Sequence, residues 1–244
     1  NLTAGRGDPS RFRFRTPVRA RRLGIGLAPR LVGNSAATMI ELEGVPPLGT
    51  GCRRVVYPHP DDPTKCIKVV TDEARRKPNR QKGFARELRY LEWYREQGRD
   101  LSGLSRYHGA VSTSSGPGEV FDLVCDADGS VSATLEQALR GGLTTLAACE
   151  RPLEALHAYL VGEGIVLSDL HPGNLAWQQA ESGVRLIVID GVGNNDFIKI
   201  ADWWRPWARR KLARRWKPFR AALCRRFGSR EAQSGRLPRD TGSG

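Results

Sequence analysis

The apolar positions change their period along the chain. Val55 to Tyr57 and Cys66 to Val70 are short β-branched runs parted by His59-Pro60-Asp61-Asp62-Pro63, and strands joined by a turn are expected there. Phe84, Leu88 and Leu91 then recur at helical spacing until Gly98, which predicts a long helix with a defined stop. Two more strands are expected at Tyr107–Ser112 and Glu119–Val124, divided by the loop Thr113–Gly118. Leu146, Cys149, Leu153, Leu156 and Leu160 step by threes and fours. They predict a core-facing helix that Pro152 should kink or divide and that Gly162 and Gly164 should end. Two apolar runs, Ile165–Leu167 and Leu186–Ile189, are each closely followed by an acidic residue. Leu212, Trp216, Phe219, Leu223 and Phe227 return to helical spacing, with Pro218 expected to separate two helices. Strands thus precede helices, no internal repeat is present, and the pattern is that of an α+β fold.

Charge divides the chain into regions. The net +13 is concentrated at the ends: residues 1–38 carry +7 and residues 201–228 carry +9, whereas residues 39–200 carry −4. A nucleic-acid partner is disfavoured for that mildly acidic body, because a binding domain carries its basic footprint on its folded surface. The ends remain candidates. Cys52, Cys66, Cys125, Cys149 and Cys224 are odd in number and form no C-x-x-C pair, which predicts reduced, mostly buried thiols and a cytoplasmic setting. No apolar run approaches the ~20 residues of a membrane span.

The sole methionine is Met39, and the preceding stretch is rich in Arg, Gly, Pro and Ala with little periodicity. The sequence therefore predicts a natural start at Met39, with residues 1–38 a disordered extension or upstream translation. Gly228 to Gly244 reads as a disordered tail.

Between these ends, five features occur in an order that ATP-dependent phosphoryl transfer accounts for together. Leu48-Gly49-Thr50-Gly51 precedes a strand, and glycines there let backbone amides approach phosphate oxygens. Alone, a Gly-x-Gly is most often an ordinary turn. Lys68 interrupts the strand Cys66-Ile67-Lys68-Val69-Val70, where an inward charge needs a partner or a ligand. Glu87 lies at the edge of the following helix's apolar stripe, where it could reach Lys68, with Glu92 the weaker rival. A Lys–Glu pair of this kind holds the ammonium near the α- and β-phosphates.

Ser168-Asp169-Leu170-His171-Pro172-Gly173-Asn174 has the D-x-x-x-x-N spacing of a catalytic loop. Asp169 is the candidate base, Asn174 a Mg²⁺ ligand, and His171 a neighbour of the transferring phosphate. Asp190-Gly191 ends the strand Leu186–Ile189, and Asp190 is the second candidate Mg²⁺ ligand. Each piece alone is also what a capped turn would show. Their joint order is what chance seldom supplies.

The chain resembles the protein-kinase-like superfamily and, more closely, the bacterial YrbL family of PhoP regulatory network proteins. The resemblance runs from Met39 to about Phe219. Beyond the catalytic residues it is carried by Pro47-Leu48-Gly49-Thr50-Gly51, Tyr57-Pro58-His59-Pro60, Cys66-Ile67-Lys68, Arg86-Glu87-Leu88, Arg106-Tyr107-His108-Gly109 and Asp190-Gly191-Val192-Gly193. It implies a two-lobed kinase-like fold, with a small antiparallel-sheet N-lobe and a short, mainly helical C-lobe, and a tie to a PhoP-controlled regulon. It implies no particular substrate, and some members of the family look degraded in the D-x-x-x-x-N loop. Leu167 stands where ordinary protein kinases have the catalytic-loop His, and Gly191 directly follows the metal-binding Asp. The string Asp-Leu-His-Pro-Gly-Asn is instead similar to that of small-molecule and lipopolysaccharide kinases. No Ala-Pro-Glu follows Asp190, which disfavours a protein substrate.

The expected layout is an N-lobe over about 39–125, a C-lobe over about 126–200, basic aromatic helices over about 201–227 and a tail over 228–244. The expected cofactors are ATP and Mg²⁺, and the expected acceptor is a small-molecule, lipid or glycan hydroxyl. A pseudokinase that regulates a partner is the alternative, and a basic membrane- or RNA-binding adaptor the third reading. The aromatics of 203–227 are expected to pack on the C-lobe while the arginines stay solvated. The functional counterpart is peripheral contact with an anionic, inner-membrane surface.

Overall fold

A computed structural model of the chain describes residues 13–14, 39–51, 53–76, 78–193 and 205–234. They fall into two compact units. One comprises Asn1–Trp93 and Ser105–Val131, the other Tyr94–Leu104 and Ser132–Gly244.

The first unit is built on an antiparallel sheet. Its strands are β1 (Arg13–Phe14), β2 (Gly49–Thr50), β3 (Arg54–Pro58), β4 (Lys65–Val70), β5 (Tyr107–Thr113) and β6 (Gly116–Asp122). They lie in the order β1-β2-β3-β4-β6-β5. A short helix α1 (Asp72–Arg75), capped by the Thr71 side chain, and the long helix α2 (Pro78–Glu96) separate β4 from β5. Gly98 follows α2 with φ 62°, the left-handed conformation that glycine adopts without penalty.

β4 is central and its four middle residues are all buried. Ile67 and Val69 meet Leu42 and Val120 in the core, with Tyr57 and Val111 packed against them. The β5–β6 hairpin closes at Ser114 and Ser115, with Thr113 opposite Gly116. The strands therefore reach well into the expected 113–118 loop. Pro117 is tolerated because β4 pairs with β6 only as far as Gly118, so its missing amide removes no bond on that side.

The second unit is mainly helical. It contains α3 (Leu135–Arg140), α4 (Leu146–Glu163), the hairpin β7 (Leu175–Ala180) and β8 (Gly183–Val188), and α5 (Arg205–Ser234). Cys149, Leu153, Leu156 and Leu160 are the buried residues of α4, as their spacing predicts. Neither internal proline divides its helix. α4 runs through Pro152 and α5 through Pro218, so the expected pair of C-terminal helices is one helix. It continues beyond Gly228 to Ser234, into the expected tail.

The apolar stripe of α5 explains its persistence. Leu212, Phe219, Leu223 and Phe227 are buried, and Trp216 stacks at 4.7 Å on His157 of α4. Burial of such a face outweighs the ~3 kcal/mol that one interior proline costs. The described aromatics thus pack within the helical unit. Trp203, Trp204 and the side chain of Trp207 lie outside the described residues. Cys66 and Cys149 are buried, Cys125 is half-buried and Cys224 is exposed. Burial pushes the Cys66 thiol up to about 11, which suppresses its thiolate.

Candidate active site

In the sheet unit, the glycine segment is the start of a hairpin. Gly49 pairs with Val56 and Thr50 with Val55, and the Gly51 amide donates to the Arg54 carbonyl at 2.9 Å. That amide is therefore committed to closing the turn. Gly49 and Gly51 are buried and Thr50 is exposed.

Lys68 lies between Val56 of β3 and Glu119 of β6 in register. It is 6% exposed, and its ammonium stands 4.0 Å from the centroid of the Phe121 ring. The aromatic face stabilises the cation where water does not reach it. Glu87 of α2 is also buried, and its carboxylate accepts from the guanidinium of Arg54. Arg54 in turn lies over the Phe84 ring at 4.4 Å and 4.0 Å from Glu119. The sequence reading looked to Lys68 for this glutamate and did not single out Arg54. A buried pair contributes little net stability, yet losing one partner costs ~3–5 kcal/mol because it strands the other charge. The pair therefore fixes α2 against β3.

In the helical unit, the D-x-x-x-x-N loop and the Asp-Gly turn are interlocked. The Ser168 and Asp169 amides both donate to the Gly191 carbonyl, at 2.7 and 3.3 Å, and the Ser168 hydroxyl joins them at 3.0 Å. Asn174 donates its side-chain amide to the Asp169 carbonyl at 3.1 Å, and its own carbonyl accepts from the Ile189 amide at 2.9 Å. Leu167 and Val192 complete the junction as an antiparallel bridge.

Gly191 makes this approach possible. Its φ is 83°, and a Cβ there would stand 2.7 Å from the Asp169 carbonyl oxygen and 3.3 Å from Asn174 Nδ2. Any larger residue would pry the two segments apart. The candidate base and both candidate metal ligands are thereby gathered around one glycine. The Asp190 carboxylate accepts from the Gly191 amide at 2.9 Å.

His171 is engaged within its own loop. Its Nδ1 accepts from the Gly173 amide at 3.0 Å, so a neutral ring carries its proton on Nε2, which lies 3.7 Å from Glu136. Burial pushes its pKa below the usual imidazole value, against the opposing pull of Glu136 and Asp169. The neutral ring therefore acts as a brace inside the loop.

Glu136 is the hub beneath it. Mostly buried, it binds Arg140 at 2.9 Å and Arg226 of α5 at 2.7 Å. Arg215, also on α5, donates to the Ser168 carbonyl. The basic helix thus holds the D-x-x-x-x-N loop directly through Arg215 and supports it through Glu136 by way of Arg226. Thr134-x-x-Gln137 forms a capping box that starts α3 and sets Glu136 in its first turn. That four-residue signature was the signal in the sequence from which α3 could have been found.

Among the described residues, no cluster of three or more His, Cys, Asp or Glu could hold a metal. The oxygens of Asp190 and Asn174 nevertheless suit Mg²⁺, which binds one or two protein oxygens and completes its shell with water and phosphate.

An antiparallel sheet unit with a helix inserted after its central strand, followed by a helical unit whose catalytic-type loop is locked to an Asp-Gly turn, defines a protein-kinase-like architecture. Within it, the chain belongs to the family described as PhoP regulatory network protein YrbL, whose family model matches residues 40–224. It is 37% identical over 184 residues to YrbL of Escherichia coli K12 and to that of Shigella flexneri, covering 74% of this chain and 86% of each relative. Among solved structures it is similar to Rad53 in complex with AMP-PNP, at TM-score 0.44 and 19% identity over 60% of this chain. It is also similar to the Mycobacterium tuberculosis PknI kinase domain, at TM-score 0.42 and 16% identity over 59% of this chain. The chain spans 37% of the first of these and 57% of the second.

Proposed function

We propose that this protein is an ATP- and Mg²⁺-dependent phosphotransferase acting on a small-molecule, lipid or glycan hydroxyl within a PhoP-type regulatory network. The observation that carries the reading is the interlock at Gly191, which gathers Asp169, Asn174 and Asp190. A turn serving only to cap a strand would not need a base candidate and two oxygen ligands around one left-handed glycine.

Roles follow from the chemistry of each group. Lys68 neutralises charge on the α- and β-phosphates, and Gly49, Thr50 and Gly51 cover them. Glu87 keeps α2 in place through Arg54 and completes the clamp. Asn174 and Asp190 hold Mg²⁺, which would neutralise charge on the β- and γ-phosphates. Asp169 accepts the proton of the acceptor hydroxyl as its oxygen bonds to the γ-phosphorus, the bond to the bridging oxygen breaks, and ADP leaves. His171 stiffens the loop that carries Asp169. The likeness of Asp169-Leu170-His171-Pro172-Gly173-Asn174 to the loops of small-molecule and lipopolysaccharide kinases supports the acceptor class.

The test measures ADP release and nucleotide-induced thermal stabilisation together, in wild type and in Asp169→Ala. The wild type should bind and turn over ATP, and the variant should bind equally while losing ~10²–10⁴ in rate. Binding with no turnover in the wild type, in the presence of candidate hydroxyl acceptors, would select the pseudokinase. Absence of both would remove the nucleotide readings.

A further inference from the structure

The helix that holds the catalytic loop has a second face. Arg215 and Arg226 turn inward to Ser168 and Glu136, whereas Arg210, Arg214, Lys217 and Arg225 are all exposed. At 100° per residue these four fall within about 80° of one another, opposite the buried Leu212–Phe219–Leu223 stripe. None of the four has an ion-pair partner among the described residues. The sequence holds no Asp or Glu from Arg205 to Arg230, so no acid within the stripe's own stretch of helix offsets them. At 1.5 Å per residue the stripe is about 22 Å long.

We propose that this outer face of α5 is a docking surface for an anionic lipid bilayer. A flat anionic surface can meet several cations of one helix face at once. Ala213 and Ala221, the small exposed residues among them, let the longer cationic side chains lead. Single-stranded RNA fits the face less well. It requires exposed aromatic platforms, and Phe219 and Phe227 are buried while Trp216 is stacked on His157. Among the described side chains of this face, none is a large apolar group that could insert into the hydrocarbon. Binding is therefore electrostatic, reversible and weakened by salt.

Docking would hold the D-x-x-x-x-N loop one helix diameter, ~10 Å, from the lipid surface, since Arg215 binds its Ser168 carbonyl from the opposite face. A catalytic use of that placement rests on the phosphotransferase reading; the docking itself does not. Loss of vesicle binding leaves nucleotide binding untouched, and the reverse also holds.

The test is flotation of the full chain with vesicles containing phosphatidylglycerol and, separately, with pure phosphatidylcholine, at low and high salt. Two triple variants accompany the wild type: Arg210→Gln/Arg214→Gln/Lys217→Gln in the stripe, and Arg19→Gln/Arg21→Gln/Arg22→Gln, which removes equal charge from the N-terminal segment. The wild type should float only with the anionic vesicles and only at low salt. The stripe variant should lose on the order of 100-fold in partitioning at about fivefold per cation, with an unchanged unfolding midpoint. The N-terminal variant should stay close to wild type. Failure of the wild type to float, undiminished flotation of the stripe variant, or loss confined to the N-terminal variant would each overturn the proposal. So would an RNA oligomer that binds through the same three residues and displaces the vesicles.

Discussion

At the scale of single residues, Gly191 has the most exacting position. It combines a left-handed φ with a carbonyl oxygen and an amide nitrogen crowded where a side chain would begin. Gly191→Ala adds ~1–2 kcal/mol of backbone strain to a contact that backbone atoms cannot relieve. The variant should be less stable by about 2 kcal/mol or more in urea unfolding and should lose ATP turnover. A variant of wild-type stability and turnover would show that the loop and the Asp-Gly turn need not touch. The string around Asp169 and the Asp-Gly turn were legible in the sequence because each is contiguous. Arg54, Glu136, Arg215 and Arg226 were not, because their roles come from partners 33 to 90 residues distant. A lone charged residue in a sequence reads the same whether it meets water or a buried carboxylate.

At the scale of elements, α5 shows the limits of reading helices from breakers. Its apolar spacing predicted the buried face, and Pro218 wrongly predicted a division. Proline removes one hydrogen bond and crowds the preceding turn, but a helix anchored on both sides by buried residues can absorb that local loss. Pro218 itself is exposed, so its replacement disturbs no packing. Pro218→Ala should therefore raise stability by ~1–3 kcal/mol in urea unfolding. A loss of stability would mean that the proline's geometry is needed to aim the second half of the helix.

The strands and α2 were legible for the opposite reason, since β-branched runs and helical periodicity agree there with the tertiary environment. β7 was not. Leu175-Ala-Trp-Gln-Gln-Ala carries no β-branched residue, and it becomes a strand because β8 pairs along its whole length. The β5–β6 loop was drawn too long because Gly116, Pro117 and Gly118 are turn-formers by composition and strand residues by pairing.

At the scale of the whole molecule, charge and chemistry separate. The segment from 39 to 200 is acidic overall yet contains every candidate catalytic group, while one end supplies a helix whose inner face is structural and whose outer face is basic. No described helix is long and apolar enough to cross a membrane. The sheet unit carries a buried lysine over an aromatic ring and a glutamate locked to Arg54. The helical unit carries the candidate base and candidate metal ligands around Gly191.

The proposal that these observations support is that the fold carries a metal-dependent nucleotide site. Thermal unfolding of wild type and Asp190→Ala, titrated with ATP in the presence and absence of Mg²⁺, tests it most directly. The account predicts that ATP with Mg²⁺ at a hundred times its Kd stabilises the wild type by ~2.7 kcal/mol. It also predicts that omitting Mg²⁺ or replacing Asp190 removes most of that gain. Stabilisation independent of both Mg²⁺ and Asp190, or no stabilisation by ATP, would contradict it.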